Sequence, residues 1–193
     1  MDKKIVIAVD DSRHSKNAVR YAAGVYRALK DINITLMHVQ PTISQYLLDE
    51  AKKSSQAYAE LDKVNQKNSE TASHLLEKYK EQMIALGIAE ADIQLKTQAR
   101  MLGVAKDILV FSTAGHFDAL IMGRRGLSGL GEVFIGSVSA NVVDHSTDTP
   151  VWLVDEEGSS NDILVAVEGS ENSLKAVEHL ADMTAGNTDV KIS

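Results

Sequence analysis

Short apolar runs alternate with longer segments of helical period along most of this chain. The first run, from Ile5 to Val9, is continuously apolar, which is typical of a parallel strand covered on both faces. Crossover connections between parallel strands place helices on both faces of a sheet. The pattern therefore predicts an α/β fold with a doubly wound, five-stranded parallel sheet, whose other strands span Ile34–Val39, Ile93–Thr97, Ala119–Met122 and Pro150–Val154.

Helices are predicted in the segments between these strands. Ser12 or Ser15 can cap a helix that directly follows the first strand. From Pro41 to Gly87 the apolar positions keep helical period, which predicts one long helix or two, with Gly87 as the C-terminal cap. Further helices are predicted over 104–112 and 136–145.

A glycine-containing stretch begins where the fourth apolar run ends. Gly123-Arg124-Arg125-Gly126 is followed, after nine residues, by Gly136-Ser137. Because glycine has no Cβ, backbone N–H groups can approach a phosphate closely there. The helix predicted to begin at Gly136 places free amides and the positive end of its dipole at the same spot. We expect this stretch to form a cradle for an anion.

The spacing G-x2-G-x9-G, followed by Ser, resembles the ATP-binding signature of the universal stress protein family. Three other segments resemble that family independently: a first strand that leads into Asp10-Asp11-Ser12, a second strand over 36–39, and a last strand entered through Pro150. The resemblance covers approximately residues 3–155. It implies the strand order 3-2-1-4-5, in which the first and fourth strands flank the switch point where ligands bind.

The resemblance also implies a nucleotide site built from several parts of the chain. The ends of the first two strands would contact the nucleoside, and the glycine stretch with the start of the following helix would hold the phosphates. The ligand would be ATP, alone or with Mg2+ or Mn2+ near Asp10, since hard cations prefer oxygen ligands. The expected nucleotide-binding residues are Ala8, Val9, Asp10, Val39, Met122, Gly123, Arg125, Gly126, Gly136, Ser137, Val138 and Ser139.

Each of these assignments has a structural alternative. The glycines also fit a flexible surface loop, and Asp10-Asp11-Ser12 also fits a simple helix cap. Arg124 and Arg125 fit a solvated surface pair at least as well as a phosphate contact. The six histidines have no metal-binding spacing, which favours structural roles.

The start of the chain is repeated near its end. Residues 163–170 repeat residues 5–12 without a gap, 158 positions further on, and the match continues until Ile192 corresponds to Ile34. This indicates a duplication, and tandem repeats are known in the family that the chain resembles. We expect a nucleotide-binding domain over 1–155, a polar linker over 156–162, and an incomplete second repeat over 163–193 that comprises a strand and a helix and stops within a second strand.

Bulk composition excludes several classes of function. The net charge of -7 and the absence of a basic stripe argue against nucleic acid as a partner. Zero cysteines exclude disulfides, thiolate zinc sites and thiol nucleophiles. No signal peptide is recognised, and no apolar run approaches the ~20 residues needed to cross a bilayer. A cytoplasmic protein is the simplest expectation.

Three functions of different classes remain open. The first, which we prefer, is an ATP-binding stress-response or signalling module with slow or no hydrolysis. The second is an enzyme of a related adenine-nucleotide or flavin fold, and the third is a dimerising interaction module that needs no ligand. The sequence lacks the Walker, pyrophosphatase-loop and Rossmann glycine motifs and an evident Ser/His/Asp set, so dedicated catalysis is not expected. The resemblance further implies a homodimer that pairs through the strand containing Trp152, and a protein partner that the sequence does not identify.

Overall fold

A computed structural model describes residues 2–29, 31–125, 135–155, 162–185, 187 and 190–193. Within these residues, five parallel strands form one sheet in the order β3-β2-β1-β4-β5, which confirms the predicted fold class and strand order. The strands of this sheet are β1 (Lys3–Ala8), β2 (Ile32–Val39), β3 (Ile93–Gln98), β4 (Ala119–Gly123) and β5 (Val151–Val154). The helices of this unit are α1 (Arg13–Ala28), α2 (Gln45–Ala51), α3 (Ser55–Ala85), α4 (Val104–Ala114) and α5 (Ser137–His145).

The sheet is covered by an apolar layer on each face. Successive side chains of a strand point to opposite faces, so Ile5 and Ile7 of β1 pack with α1 and α3, whereas Val6 and Ala8 pack in the layer that includes α4 and α5 residues. All four side chains are buried. Two covered faces explain why β1 is continuously apolar from Ile5 to Ala8 rather than at alternate positions.

The segment between β2 and β3 forms two helices, one short and one long. Only the second half of α3 reaches the core, through the buried side chains of Ala72, Leu76, Tyr79 and Met83. The first half of α3 pairs with α2 and is largely exposed, which explains its polar composition. Gly87 follows this helix with a φ of 95°, the left-handed conformation that its predicted capping role requires.

The first turn of α1 shows which of the two predicted serines caps the helix. The Ser12 side chain accepts a hydrogen bond from the Ser15 backbone N–H at 3.1 Å, so Ser12 is the N-cap. Ser15 lies inside the first turn, and its hydroxyl donates to Asp10 Oδ1 at 2.7 Å. Both serines are therefore used in the turn between β1 and α1.

The end of the chain forms a small strand, helix and strand unit. It consists of β6 (Asp162–Ile163), α6 (Glu171–Thr184) and β7 (Lys191–Ile192), and the two strands pair in parallel. Ile163 is the register partner of Ile192, just as Ile5 is the register partner of Ile34. Regular pairing covers only two residues of each of these strands. Of the predicted linker, residues 156–161 lie outside the described residues, and Asp162 already belongs to β6.

Helix α6 packs against the larger unit. Met183 is buried in the same apolar layer as Ile5, and the His179 ring contacts the indole of Trp152 on β5. Lys3 of β1 also pairs with the side chain of Asp182 at 3.3 Å. Among the described residues, no helix combines the length and apolar character required to cross a membrane.

Candidate functional site

The ends of three neighbouring strands meet at one edge of the sheet. Ala8 is the register partner of both Met37 on β2 and Met122 on β4. Val9, directly after β1, donates its N–H to the Met37 carbonyl at 2.9 Å. Ala8, Val39 and Met122 share one apolar cluster, against which Val138 of α5 is packed. Four of the predicted site residues are thereby brought together at the carboxyl ends of the strands, where ligands of open α/β sheets bind.

Two hydrogen bonds hold the beginning and the end of the glycine stretch together. The Gly136 N–H donates to the Arg124 carbonyl at 2.9 Å. The hydroxyl of Ser139, which is buried, donates to the Gly123 carbonyl, also at 2.9 Å. Predicted residue Gly126 lies outside the described residues, and Arg125 is half-buried at the end of the described segment. The start of α5 is therefore fixed directly beside the end of β4.

Gly123 has a packing role that the sequence did not reveal. A Cβ at this position would lie 2.6 Å from the Cβ and 2.7 Å from the carbonyl carbon of His14, in the first turn of α1. The backbone of Gly123 is not in the left-handed region, and Gly136 has a φ of -61°. Glycine at 123 is thus required by the close approach of α1, and its predicted contact with phosphate stays a prediction.

The N-terminus of α5 faces this same edge of the sheet. Gly136 is the N-cap residue, and it has no side chain with which to satisfy the first amides of the helix. The N–H groups of Ser137 and Val138 belong to the first turn, where an α-helix supplies no carbonyl partner of its own. Such a terminus favours an anion because its amides and its dipole both present positive charge.

Asp10 is held in a network of short-range hydrogen bonds. Its Oδ1 atom accepts from the Ser12 backbone N–H at 3.1 Å and from the Ser15 hydroxyl at 2.7 Å. These contacts match the capping alternative for Asp10. Among the described residues, no group of three or more His, Asp or Glu side chains could hold a metal ion.

Two side chains that support the end of β1 were not among the predicted site residues. The Tyr79 hydroxyl donates to the Asp10 carbonyl at 2.8 Å, and the His38 ring Nδ1 lies 2.8 Å from the Val9 carbonyl. Burial, together with the nearby carboxylates of Asp10 and Asp11, raises the pKa of Tyr79, so this hydroxyl remains a donor. Helical period placed Tyr79 on the apolar face of α3, but nothing in the sequence indicated its partner 69 positions away.

Asp155 connects the glycine stretch with α1. Its Oδ2 atom lies 3.3 Å from Arg124 Nε, and its backbone carbonyl accepts from Asn17 Nδ2 at 3.0 Å. The His14 ring also lies 3.3 Å from that carbonyl. Arg124 is therefore engaged with a carboxylate of the protein itself, whereas the sequence left open a solvated pair or a phosphate contact.

Two universal stress proteins are similar to this chain in sequence, and one of them has a solved structure that also matches. A universal stress protein of Mycolicibacterium smegmatis is 27% identical over 184 residues, covering 92% of this chain but only 58% of its own length. A universal stress protein of Methanocaldococcus jannaschii is 26% identical over 82% of this chain and 98% of its own. The solved structure of the latter matches with a TM-score of 0.60.

Two solved universal stress proteins with bound nucleotides have the same fold. One, from Archaeoglobus fulgidus and in complex with dAMP, is 18% identical over 79% of this chain and 97% of its own. The other, in complex with cAMP, is 20% identical over 79% of this chain and 95% of its own. Both match with a TM-score of 0.50. The model of the universal stress protein family matches residues 1–155, and the chain therefore belongs to that family.

Proposed function

We propose that this protein is an ATP-binding module of the stress-response or signalling type. The observation that carries the proposal is the convergence of Ala8, Val39 and Met122 with the N-terminus of α5 at one edge of the sheet. The apolar strand ends would receive the nucleoside, and the first-turn amides would receive the phosphates. The complexes of related folds with dAMP and cAMP support an adenine nucleotide as the ligand.

The predicted residues would have different tasks in this site. Ala8, Val9, Asp10, Val39 and Met122 would surround the nucleoside. The phosphates would be held by backbone amides and by the Ser137 hydroxyl, whereas the Ser139 hydroxyl, which donates to Gly123, would keep the glycine stretch in place. The residues that we propose to bind the phosphates are Gly123, Arg125, Gly126, Gly136, Ser137 and Val138. A divalent ion, Mg2+ or Mn2+, would be held mainly by the phosphates and water, with Asp10 acting indirectly.

Binding rather than rapid turnover is the activity that we propose. Amides that bind the phosphates equally well in the ground state and the transition state would lower the dissociation constant without accelerating hydrolysis. The carboxylate of Asp10, two residues beyond the end of β1, already accepts two hydrogen bonds on Oδ1. Slow hydrolysis or none is therefore expected.

The proposal can be tested on the purified protein without added ligand. The protein is denatured, released small molecules are identified by chromatography, and ATP affinity of the emptied protein is measured by calorimetry with and without Mg2+. Adenine nucleotide in the released fraction, or ATP binding, would support the proposal. Released flavin would favour an enzyme of a related fold, and the absence of any nucleotide binding would favour a ligand-free interaction module.

A variant at the start of α5 tests the phosphate contact. We expect Ser137→Ala to weaken ATP binding about tenfold, the effect of losing one hydrogen bond to a charged group, with an unchanged circular dichroism spectrum. Ser73→Ala on the exposed surface of α3 is the matched control and should bind ATP normally. Unchanged affinity of the Ser137 variant would remove this hydroxyl from the site. Valine at Gly123 is unsuitable for this purpose, because it would also displace α1.

We further propose that residues 163–193 are an incomplete second repeat and that the chain forms a homodimer. Ile163 pairs with Ile192 as Ile5 pairs with Ile34, and this matching register supports the repeat. The same type of N-cap, Ser12 for α1 and Ser170 for α6, also supports the repeat.

Sedimentation velocity at micromolar concentration tests the proposed homodimer. A monomer throughout that concentration range would contradict it.

A further inference from the structure

Trp152 is enclosed by aromatic rings from two helices. The ring of Tyr21 on α1 contacts the indole edge-on with a centroid distance of 6.2 Å, and the ring of His179 on α6 does so at 5.7 Å. Tyr21 and His179 occupy matching positions, 158 residues apart, in the repeated sequence. Both side chains place a ring against the indole, but only the imidazole of His179 can also gain a positive charge near neutral pH.

The contact between Trp152 and His179 fixes the protonation state of the histidine. The indole Nε1–H donates to His179 Nε2 at 3.0 Å. Indole nitrogen is only a donor, so Nε2 must present its lone pair and the imidazole must be neutral. A proton added at Nε2 would place two donors against each other and leave the charged ring without this partner.

We propose that His179 and Trp152 form a pH-sensitive latch that holds α6 against β5 when His179 is neutral and loosens the helix when His179 is protonated. The inference is independent of nucleotide binding. Trp152 and His179 both line a groove between α1, β5 and α6, so loosening the latch would open the wall of that groove.

The charges around the latch determine the direction of the effect. Burial lowers the pKa of His179 most strongly; Asp182 on the same helix and Asp118 before β4 raise this pKa, whereas Lys3 of β1 lowers it. The net effect is a lowered pKa in the docked state. The undocked state therefore binds more protons in acid, so docking is complete above the ordinary pKa of 6.5 and weakens as the pH falls below it.

Other contacts limit how far the helix can move. Met183 is buried in the main core, and Lys3 donates both to the backbone carbonyl and to the carboxylate of Asp182. These contacts do not require a neutral histidine. Protonation is thus expected to increase local opening of α6 without unfolding the larger unit.

Hydrogen exchange of α6 is the direct test. Peptides covering residues 171–184 are followed by mass spectrometry at pH 7.5 and pH 5.0, with labelling times scaled for the intrinsic exchange rate. The opening of α6 should increase about tenfold at pH 5.0, the range expected when a buried polar group loses its partner. Emission of Trp152, the single tryptophan of the chain, should shift to longer wavelength over the same interval.

Two variants separate the latch from general effects of acid. His179→Gln retains a side-chain acceptor but cannot be protonated, so α6 should stay protected at both pH values. His179→Lys carries a positive charge at both pH values and should exchange rapidly at both. His74→Gln, on the exposed face of α3, is the control and should behave as the unaltered protein. Equal protection of α6 at pH 7.5 and 5.0 in the unaltered protein, or the same acid response in His179→Gln, would overturn the proposal.

Discussion

The strand, helix and strand at the start of the chain and the corresponding unit at its end have matching sequences but very different surroundings. Ile34 is 0% exposed in the first unit, whereas the matching Ile192 is 51% exposed. Val6 is likewise fully buried, and its counterpart Leu164 is 84% exposed. The difference teaches that the repeated pattern determines local geometry, while burial depends on the strands and helices that other parts of the chain provide.

Local geometry is indeed the same in both units. In each, a serine caps the helix by accepting from the backbone N–H three residues later: Ser12 from Ser15, and Ser170 from Ser173. The register of the two strand pairs is also the same. Among the residues that the structure describes, however, only the first pair has neighbours on both sides, since β4 joins β1 and β3 joins β2. A two-stranded sheet without such neighbours is only marginally stable.

The largest expected difference between the units is at the matched isoleucines. Ile34→Ala should lower the free energy of unfolding by about 2–5 kcal/mol, because it leaves a cavity in a closed core. Ile192→Ala should change it by less than about 0.5 kcal/mol, because half of that side chain already contacts water. Urea denaturation followed by circular dichroism measures both. Equal losses in the two variants would mean that Ile192 is buried in solution.

A smaller effect is expected where β4 crosses α1, a contact for which the second unit has no described counterpart. Gly123→Ala should destabilise the fold by about 1–3 kcal/mol, since the added Cβ meets His14 at 2.6 Å. Gly24 lies in α1, as His14 does, and a Cβ at this position would meet no atom within 4 Å. Gly24→Ala should therefore stabilise the fold by about 0.5–1 kcal/mol. Thermal unfolding of both variants tests this difference. A Gly123→Ala variant as stable as the parent would contradict the prediction.

Removal of the N-cap should lower global stability in the first unit but only local stability in the second. Ser12→Ala should reduce global stability by about 1 kcal/mol, the usual effect of removing an N-cap. Ser170→Ala removes the same bond, but the loss should appear as faster hydrogen exchange in the first turn of α6, with global stability within about 0.5 kcal/mol of the parent. A full loss of global stability in the Ser170 variant would show that both units unfold together.

The smallest effect is expected at Leu164, the most exposed large apolar residue among those that the structure describes in the second unit. Leu164→Asp should leave the free energy of unfolding within about 0.5 kcal/mol of the parent, since the side chain is 84% exposed. Sedimentation velocity of the same variant adds a second measurement. Should the parent associate and the variant not, the exposed face would be a contact between copies, and the comparison of the two units would have to be revised.

Several features of the fold and site followed from the sequence because they depend on neighbouring residues. The apolar run from Ile5 and the capping role of Gly87 were predicted from local chemistry, and the cap of α1 was narrowed to Ser12 or Ser15. The order of the strands came from the resemblance carried by the glycine spacing. The individual nucleotide contacts stay predictions, and Gly126 lies outside the described residues.

Contacts between distant residues could not be predicted in the same way. Nothing near Tyr79 indicated that its hydroxyl would support the carbonyl of Asp10, and nothing near Gly123 indicated that His14 would pass so close. The contact of Trp152 with His179 was equally hidden, because each residue read alone fits an ordinary apolar or structural position.

The sequence by itself determined where the main strands and helices form and that one pattern occurs twice, because periodicity acts over a few residues. Tertiary structure decided which copy of the pattern is buried, which glycine is needed for packing, and which histidine is held neutral by an indole. Burial and hydrogen-bond partnership depend on segments brought together from far apart in the chain, and no local pattern records them.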